Sequence, residues 1–399
     1  MSRIIYTGSF RFPDGDAGAA RVLGIGKSLR AAGHEVIFAG WEERGRHQDL
    51  EKNGYIYQGF FYIPQGDLPS TSVTPLKRLL RFIQYGQNTL RWIETQDLQG
   101  LKAIIVYNGG SWFINRLIIL CRRRGIRLIV DCTEWYASQS LPCGKFGVPF
   151  LDNELRMRHF NVTANRVIAI SSYLERYYLQ RGCNVLRVPP LVDLQDEKWQ
   201  VNYRLPADGD ILQIVYAGTP GKKDLLGNAL RGLNTLREEG LSVKLHLVGP
   251  SREEVSECLG SDAPILDMMA DMIVLHGRVP QSDVPHILAT ADYSVLLRPL
   301  ERYAQAGFPT KLVESLAAGV PVIANPTSDI AEFVRDGIEG ILLTDQSPEA
   351  FVAGVKRALT LPLARKDAMR HNARLRAETS FDFRVFVEKL RSFIQEYTS

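Results

Sequence analysis

The residues best equipped for chemistry lie in one short stretch, Phe308-Pro-Thr310-Lys311-Leu-Val-Glu314-Ser-Leu-Ala-Ala-Gly319-Val-Pro-Val-Ile323. Thr310 stands where a helix N-cap is expected, Val313, Leu316 and Ala317 form the packed face, and Gly319 ends the helix before a buried strand. Lys311 and Glu314 are three apart, so both reach one ligand near the helix start. A carboxylate there accepts two hydrogen bonds from the paired hydroxyls of a ribose. A lysine there is a mobile point charge for phosphate. The plainer reading is a surface ion pair, and the neighbouring motifs weigh against it.

A second stretch, Tyr216-Ala-Gly218-Thr-Pro-Gly221-Lys222-Lys223-Asp224, combines glycines, two lysines and a helix start. Taken alone it is equally a solvated loop. The loop over 8–21 is also Gly-rich and opens a helix, an arrangement that favours an anion. It is not GxGxxG, so no nicotinamide cofactor is implied. Gly26-Lys27-Ser28 lacks the first glycine of a P-loop, since Arg21 holds that position, and it falls inside a helix. Asp131-Cys-Thr-Glu134-Trp-Tyr136 ends a strand, where α/β ligands gather. Asp131 or Glu134 can orient or deprotonate a hydroxyl, with Asp16 in the glycine loop as a third candidate. The alternative is that Asp131 caps a turn and Trp135 packs.

These groups need elements to hold them. Short apolar runs at 4–7, 35–39, 55–63, 103–107, 127–131, 167–170 and 185–188 alternate with helical patterns. After a polar segment the alternation restarts at 212–217, 243–248, 273–275, 293–297, 320–323 and 340–343. Such alternation implies parallel sheets covered by helices. The predicted layout is an α/β protein of two Rossmann-like domains: 1–190, a linker over 191–210, 211–378, and a final helix over 379–399.

The whole-chain numbers agree. The 399 residues suit two domains, and 45% hydrophobic with 23% charged residues is ordinary for a globular chain. Five cysteines without a CxxC argue against a zinc site and a disulfide framework, and for a reducing compartment. No signal peptide is expected at the N-terminus, and no run approaches the ~18 apolar residues of a spanning helix. The net charge of +4 hides a split: 25 Lys+Arg against 15 Asp+Glu through Pro190, and 23 against 29 beyond it. The basic half suggests an anionic partner. Within it, a helix predicted over 75–93 has an apolar face of Leu76, Leu79, Leu80, Ile83, Leu90 and Ile93, opposite Arg78, Arg81, Tyr85 and Trp92. That basic–aromatic face suits an anionic membrane surface or a lipid-phosphate acceptor, or is simply solvated. No nucleic-acid motif accompanies the charge, so nucleic acid is not expected as a partner.

The motifs at 216–224, His276-Gly-Arg278-Val279-Pro280, 291–299, 308–323 and 329–340 resemble those of retaining glycosyltransferases of family 4, in the subgroup with a Pro-Thr-Lys-x-x-Glu helix. The resemblance implies the GT-B fold, two Rossmann-like domains facing each other across a cleft, with the C-terminal helix returning to the first domain. It implies a nucleotide-sugar donor as co-substrate, no metal or other cofactor, and a saccharide or lipid-linked acceptor. Glu314 is implied to hold the ribose, Lys223 or Lys222 the diphosphate, and Thr310 and Lys311 the phosphates or sugar. The backbone at Arg278 and Val279 is implied to read the base, and Gly18 to let the first helix approach the diphosphate. The expected setting is assembly of bacterial cell-surface polysaccharide or glycolipid, in the cytoplasm or at the inner membrane face. A nucleotide-sugar epimerase and a catalytically silent nucleotide-sugar-binding homologue are the alternatives. Ala306 and Thr219 stand where the family often has Glu and Arg.

Overall fold

A computed structural model describes residues 2–13, 16–42, 54–67, 85–202, 211–221 and 223–396. The chain divides into two units, Met1–Leu191 with Phe383–Ser399, and Val192–Asp382.

The first unit is built on β1 (Ser2–Gly8), β2 (His34–Gly40), β3 (Tyr55–Tyr57), β4 (Phe60–Tyr62), β5 (Leu101–Tyr107), β6 (Arg127–Cys132), β7 (Arg166–Ala169) and β8 (Asn184–Arg187). Their order is β3-β4-β2-β1-β5-β6-β7-β8. All described pairings are parallel except β3 with β4. The central strands are almost continuous apolar runs, because helices cover both faces of a parallel sheet. The run expected as one strand over 55–63 is instead a hairpin, since Gln58 and Gly59 turn the chain at positive φ.

The helix Ala17–Ala31 lays Val22, Ile25 and Leu29 on the sheet beside Ile4, Tyr6 and Phe38. The last helix, Val387–Gln395, adds Leu390, Phe393 and Ile394 to the same core. Arg166 fixes it by donating to the Phe393 carbonyl at 2.8 Å.

The helix predicted over 75–93 is described only as Gln87–Thr95. Gly86 precedes it at φ +87, a left-handed conformation that an α-helix does not pass through, so a continuous helix across 86 is ruled out. Leu90 and Ile93 are buried as expected. Tyr85 packs against the Trp41 ring at 6.1 Å rather than pointing outward with Trp92, which is half-buried. Arg78 and Arg81 lie outside the described residues.

The second unit carries β9 (Leu212–Ala217), β10 (Val243–Val248), β11 (Ile273–Gly277), β12 (Tyr293–Leu296), β13 (Val322–Ala324) and β14 (Gly340–Leu342), in the parallel order β11-β10-β9-β12-β13-β14. Leu230, Leu233, Leu245, Leu247, Phe351 and Val355 are among its core. From Val192 on, the expected linker belongs to this unit. Val192 bridges to Asp382, the Leu194 amide donates to the Asp382 carboxylate at 3.1 Å, and Trp199 is buried. Among the described residues, no helix is long and apolar enough to cross a membrane.

Candidate functional site

In the second unit the ends of β9, β10 and β11 are tied side by side. The Gly218 amide donates to Val248 at 2.8 Å, and the Gly249 amide to Gly277 at 2.7 Å. Gly218 adopts φ +136, and a Cβ there would meet the Lys311 side chain at 2.3 Å. Only a glycine lets Lys311 lie across the strand end.

Lys311 comes from the helix Thr310–Ala317. Its Nζ forms an ion pair with Asp224, approaches the Tyr216 hydroxyl at 3.2 Å and sits 4.7 Å from the centre of that ring. Tyr216 donates in turn to the same Asp224 oxygen at 3.0 Å. Burial, reinforced by Asp224, raises the Tyr216 pKa, so its hydroxyl stays a donor. Sequence spacing put Tyr216 and Asp224 in the lysine loop but gave neither a role.

Pro309 occupies the N-cap of this helix and Thr310 is its first residue, half-buried with no side-chain cap. The expected Thr310 cap is therefore displaced by one position, because proline holds the extended φ/ψ that a cap needs. One turn on is Glu314, also half-buried. Burial raises its carboxyl above the ordinary range, opposed by Lys311 and then by Lys198. Lys198, from the segment read as linker, was not foreseen as part of this neighbourhood.

The lysine loop is held from below. The Leu225 amide donates to Leu297 at 2.8 Å, and the Arg298 Nε to the Lys223 carbonyl at 3.4 Å. Arg298 is itself buried and tied through its backbone to Asn325, which also donates to Thr327. Lys223 is half-buried, and Lys222 lies outside the described residues. Arg278 is well exposed and 3.5 Å from Glu254, while Val279 packs near Val215 and Val248. The structure thus brings Lys223, Lys311, Glu314 and Thr310 onto two neighbouring elements of one unit.

The first-unit candidates fare differently. Asp131 is fully buried. Arg21 donates to it at 2.6–3.0 Å and Tyr6 at 2.5 Å, while Arg21 also reaches the Val188 carbonyl at 3.0 Å. A carboxylate so enclosed joins helix to sheet, with its oxygens engaged by Arg21 and Tyr6. Asp16 is the N-cap of the first helix, accepting from Ala19 at 2.8 Å and Arg11 at 3.2 Å, so its oxygens serve the loop. A Cβ on Gly18 would meet the Tyr107 ring at 2.9 Å. Glu134, like Asp16, is half-exposed; it lies next to the Tyr136 hydroxyl, whose pKa is raised by burial and then by Glu134.

One buried acid gave no sequence signal. Glu42 follows β2 and folds over Gly40. It is 5% exposed, and its carboxyl fills the place a Cβ on Gly40 would take. Burial pushes it up to about 8, the backbone at Glu42 and Phe12 opposing; Asp16 raises it further and Arg11 lowers it. Among the described residues, no group of His, Cys, Asp and Glu is arranged to hold a metal ion.

Residues 212–360 match the family model described as Glycosyl transferases group 1. A relative described as the amylovoran biosynthesis glycosyltransferase AmsK of Erwinia amylovora is 24% identical over 254 residues, covering 62% of this chain and 57% of that protein. The chain thus spans little more than half the length of that relative. Among solved structures, the sucrose-phosphate synthase of Thermosynechococcus elongatus aligns over 98% of this chain and 97% of its own, at 16% identity and a TM-score of 0.70. Anabaena Alr3699/HepE, solved in complex with UDP and glucose, aligns over the whole of both chains at 14% identity and a TM-score of 0.68. The fold is therefore GT-B, as the motifs implied.

Proposed function

We propose, from a GT-B chain whose second unit matches the Glycosyl transferases group 1 model, that this protein transfers a sugar from a nucleotide-sugar to a hydroxyl of a saccharide or lipid-linked acceptor, with retention at the anomeric carbon. The observation that carries this reading is Lys311, which lies over Gly218 at a strand end and acts on Glu314, inside the matched region that also holds Lys223. Glu314 accepts hydrogen bonds from both ribose hydroxyls. A desolvated carboxylate gains more from two such donors than a solvated one. Lys223 and Lys311 meet the diphosphate, with Lys222 as the alternative to Lys223. The amides at the start of Thr310–Ala317 add partial positive charge. Backbone at Arg278 and Val279 lines the base.

The bond that breaks joins the anomeric carbon to the phosphate oxygen. The departing nucleotide gains negative charge, and fixed cations lower the barrier by offsetting it without a metal. The acceptor oxygen forms the new bond and gives up its proton to the departing phosphate oxygen, while Glu134, half-exposed, orients that hydroxyl. Relatives such as the amylovoran enzyme support a setting in bacterial cell-surface polysaccharide or glycolipid assembly. The basic first half supports a cytoplasmic protein that rests on an anionic membrane face.

The test is transfer from a panel of UDP-, GDP- and ADP-sugars to lipid-linked and free saccharide acceptors. The expected result is a glycosylated acceptor, lost in Glu314→Ala and Lys223→Ala. Full transfer in both variants sinks the site assignment. An epimerised nucleotide-sugar formed from donor alone identifies an epimerase instead.

A further inference from the structure

The ring of contacts among Tyr216, Asp224 and Lys311 has a consequence beyond donor binding. We propose that Asp224 is a positioning residue that takes back Lys311 from the diphosphate and so favours release of the nucleoside diphosphate product over release of the donor. This rests on the nucleotide-sugar reading above.

Lys311 and Asp224 are both largely shielded, with side chains 19% and 13% exposed. A shielded ammonium needs a counter-charge when no anion is bound, and Asp224 supplies it. Tyr216 fixes the carboxylate by its 3.0 Å hydrogen bond and accepts from Lys311 at 3.2 Å, so the pair has a defined resting geometry. Lys311 is also held over Gly218, where a side chain on residue 218 would expel it. It can therefore exchange one anion for another with little movement.

The two ligands differ in charge. A nucleotide-sugar carries a diphosphate diester with about two negative charges. The product has a free terminal phosphate whose second proton leaves near pH 6, adding close to one more charge at neutral pH. A fixed carboxylate near the phosphates repels the more charged species more strongly, and the shielding of Asp224 from solvent limits screening. Asp224 therefore weakens product binding more than donor binding, and limits product inhibition.

The experiment is calorimetric and needs no acceptor. UDP and UDP-glucose, GDP and GDP-mannose, and ADP and ADP-glucose are titrated into the wild-type chain to find the base that binds. The Kd of that nucleoside diphosphate and of its sugar ester are then measured for Asp224→Asn and Asp224→Ser, with melting temperatures as a check on folding. The expected result is that the product binds about five- to tenfold tighter in the neutral variants while the sugar ester changes less than about threefold. Product inhibition tightens in parallel. Equal change for both ligands, or weaker product binding in either folded variant, overturns the inference and leaves the donor site standing. If none of the three bases binds the wild type, the donor reading falls and this inference with it.

Discussion

Glu314 and Glu42 are both carboxyls raised by burial, yet their pH behaviour differs in meaning. In the proposed donor site Glu314 must be ionised to accept two ribose hydroxyls, so donor binding should weaken as pH falls through its raised folded pKa. The weakening should begin at higher pH than an ordinary glutamate allows, and Glu314→Gln should lose that acid limb along with roughly tenfold or more in donor affinity. Calorimetry from pH 5 to 8 checks both. Glu42 lies in the other unit, buried just after β2. Its folded pKa near 8 exceeds the unfolded value, so the folded state holds its proton longer and stability falls as pH rises from the unfolded pKa to about 8. Glu42→Gln should flatten that fall and be more stable than wild type at pH 9 by about 2 kcal/mol, read from urea denaturation. At the residue scale the sequence was a fair guide to Lys311 and Glu314, because three-residue spacing on a helix puts both at one end. It was silent on Asp224 and Glu42, whose roles depend on neighbours distant in the chain.

Asp131 shows why elements must be known before roles are assigned. At the end of β6 it had the type and place of a base, yet helix Ala17–Ala31 delivers Arg21 onto it and β1 delivers Tyr6. A contact between residues 110 apart in sequence carries no local signal. Removing one partner of a buried ion pair strands the other, so Arg21→Met or Asp131→Asn should cost about 3–5 kcal/mol of stability. Donor affinity of the remaining folded protein should be unchanged. A variant with normal stability and no transfer would restore Asp131 as a base. Strand positions were legible as apolar runs over most of both sheets. Two misreadings came from positive-φ backbone, a hairpin turn at Gln58–Gly59 and a non-helical Gly86, which side-chain periodicity does not reveal. Gly218→Ala joins two elements in one test. It places a methyl group 2.3 Å from Lys311 at a φ that alanine avoids. Affinity for nucleotide should fall about tenfold or more with only a modest change in melting temperature.

For the whole molecule, length and the two rounds of alternating strands and helices foretold two Rossmann-like units. The motifs of the second half carried the resemblance to GT-B enzymes. The boundary was less legible, because a polar run such as 195–202 looks like a linker even where Trp199 is buried. The return of the chain to the first unit also follows from packing: Leu390, Phe393 and Ile394 close the core over Ile25 and Leu29. Truncation after Asp382 should expose that core and lower the melting temperature of the first unit by several degrees or render the protein insoluble. The charge split of the two halves finds its use in the proposal that lysines gather at a diphosphate in an otherwise acidic half. The most direct measurement is calorimetric titration of UDP, GDP and ADP into the wild-type chain and into Glu314→Ala. The account predicts that one of the three binds the wild type and that the variant loses about fiftyfold or more of that affinity; equal affinity in the folded variant would contradict it.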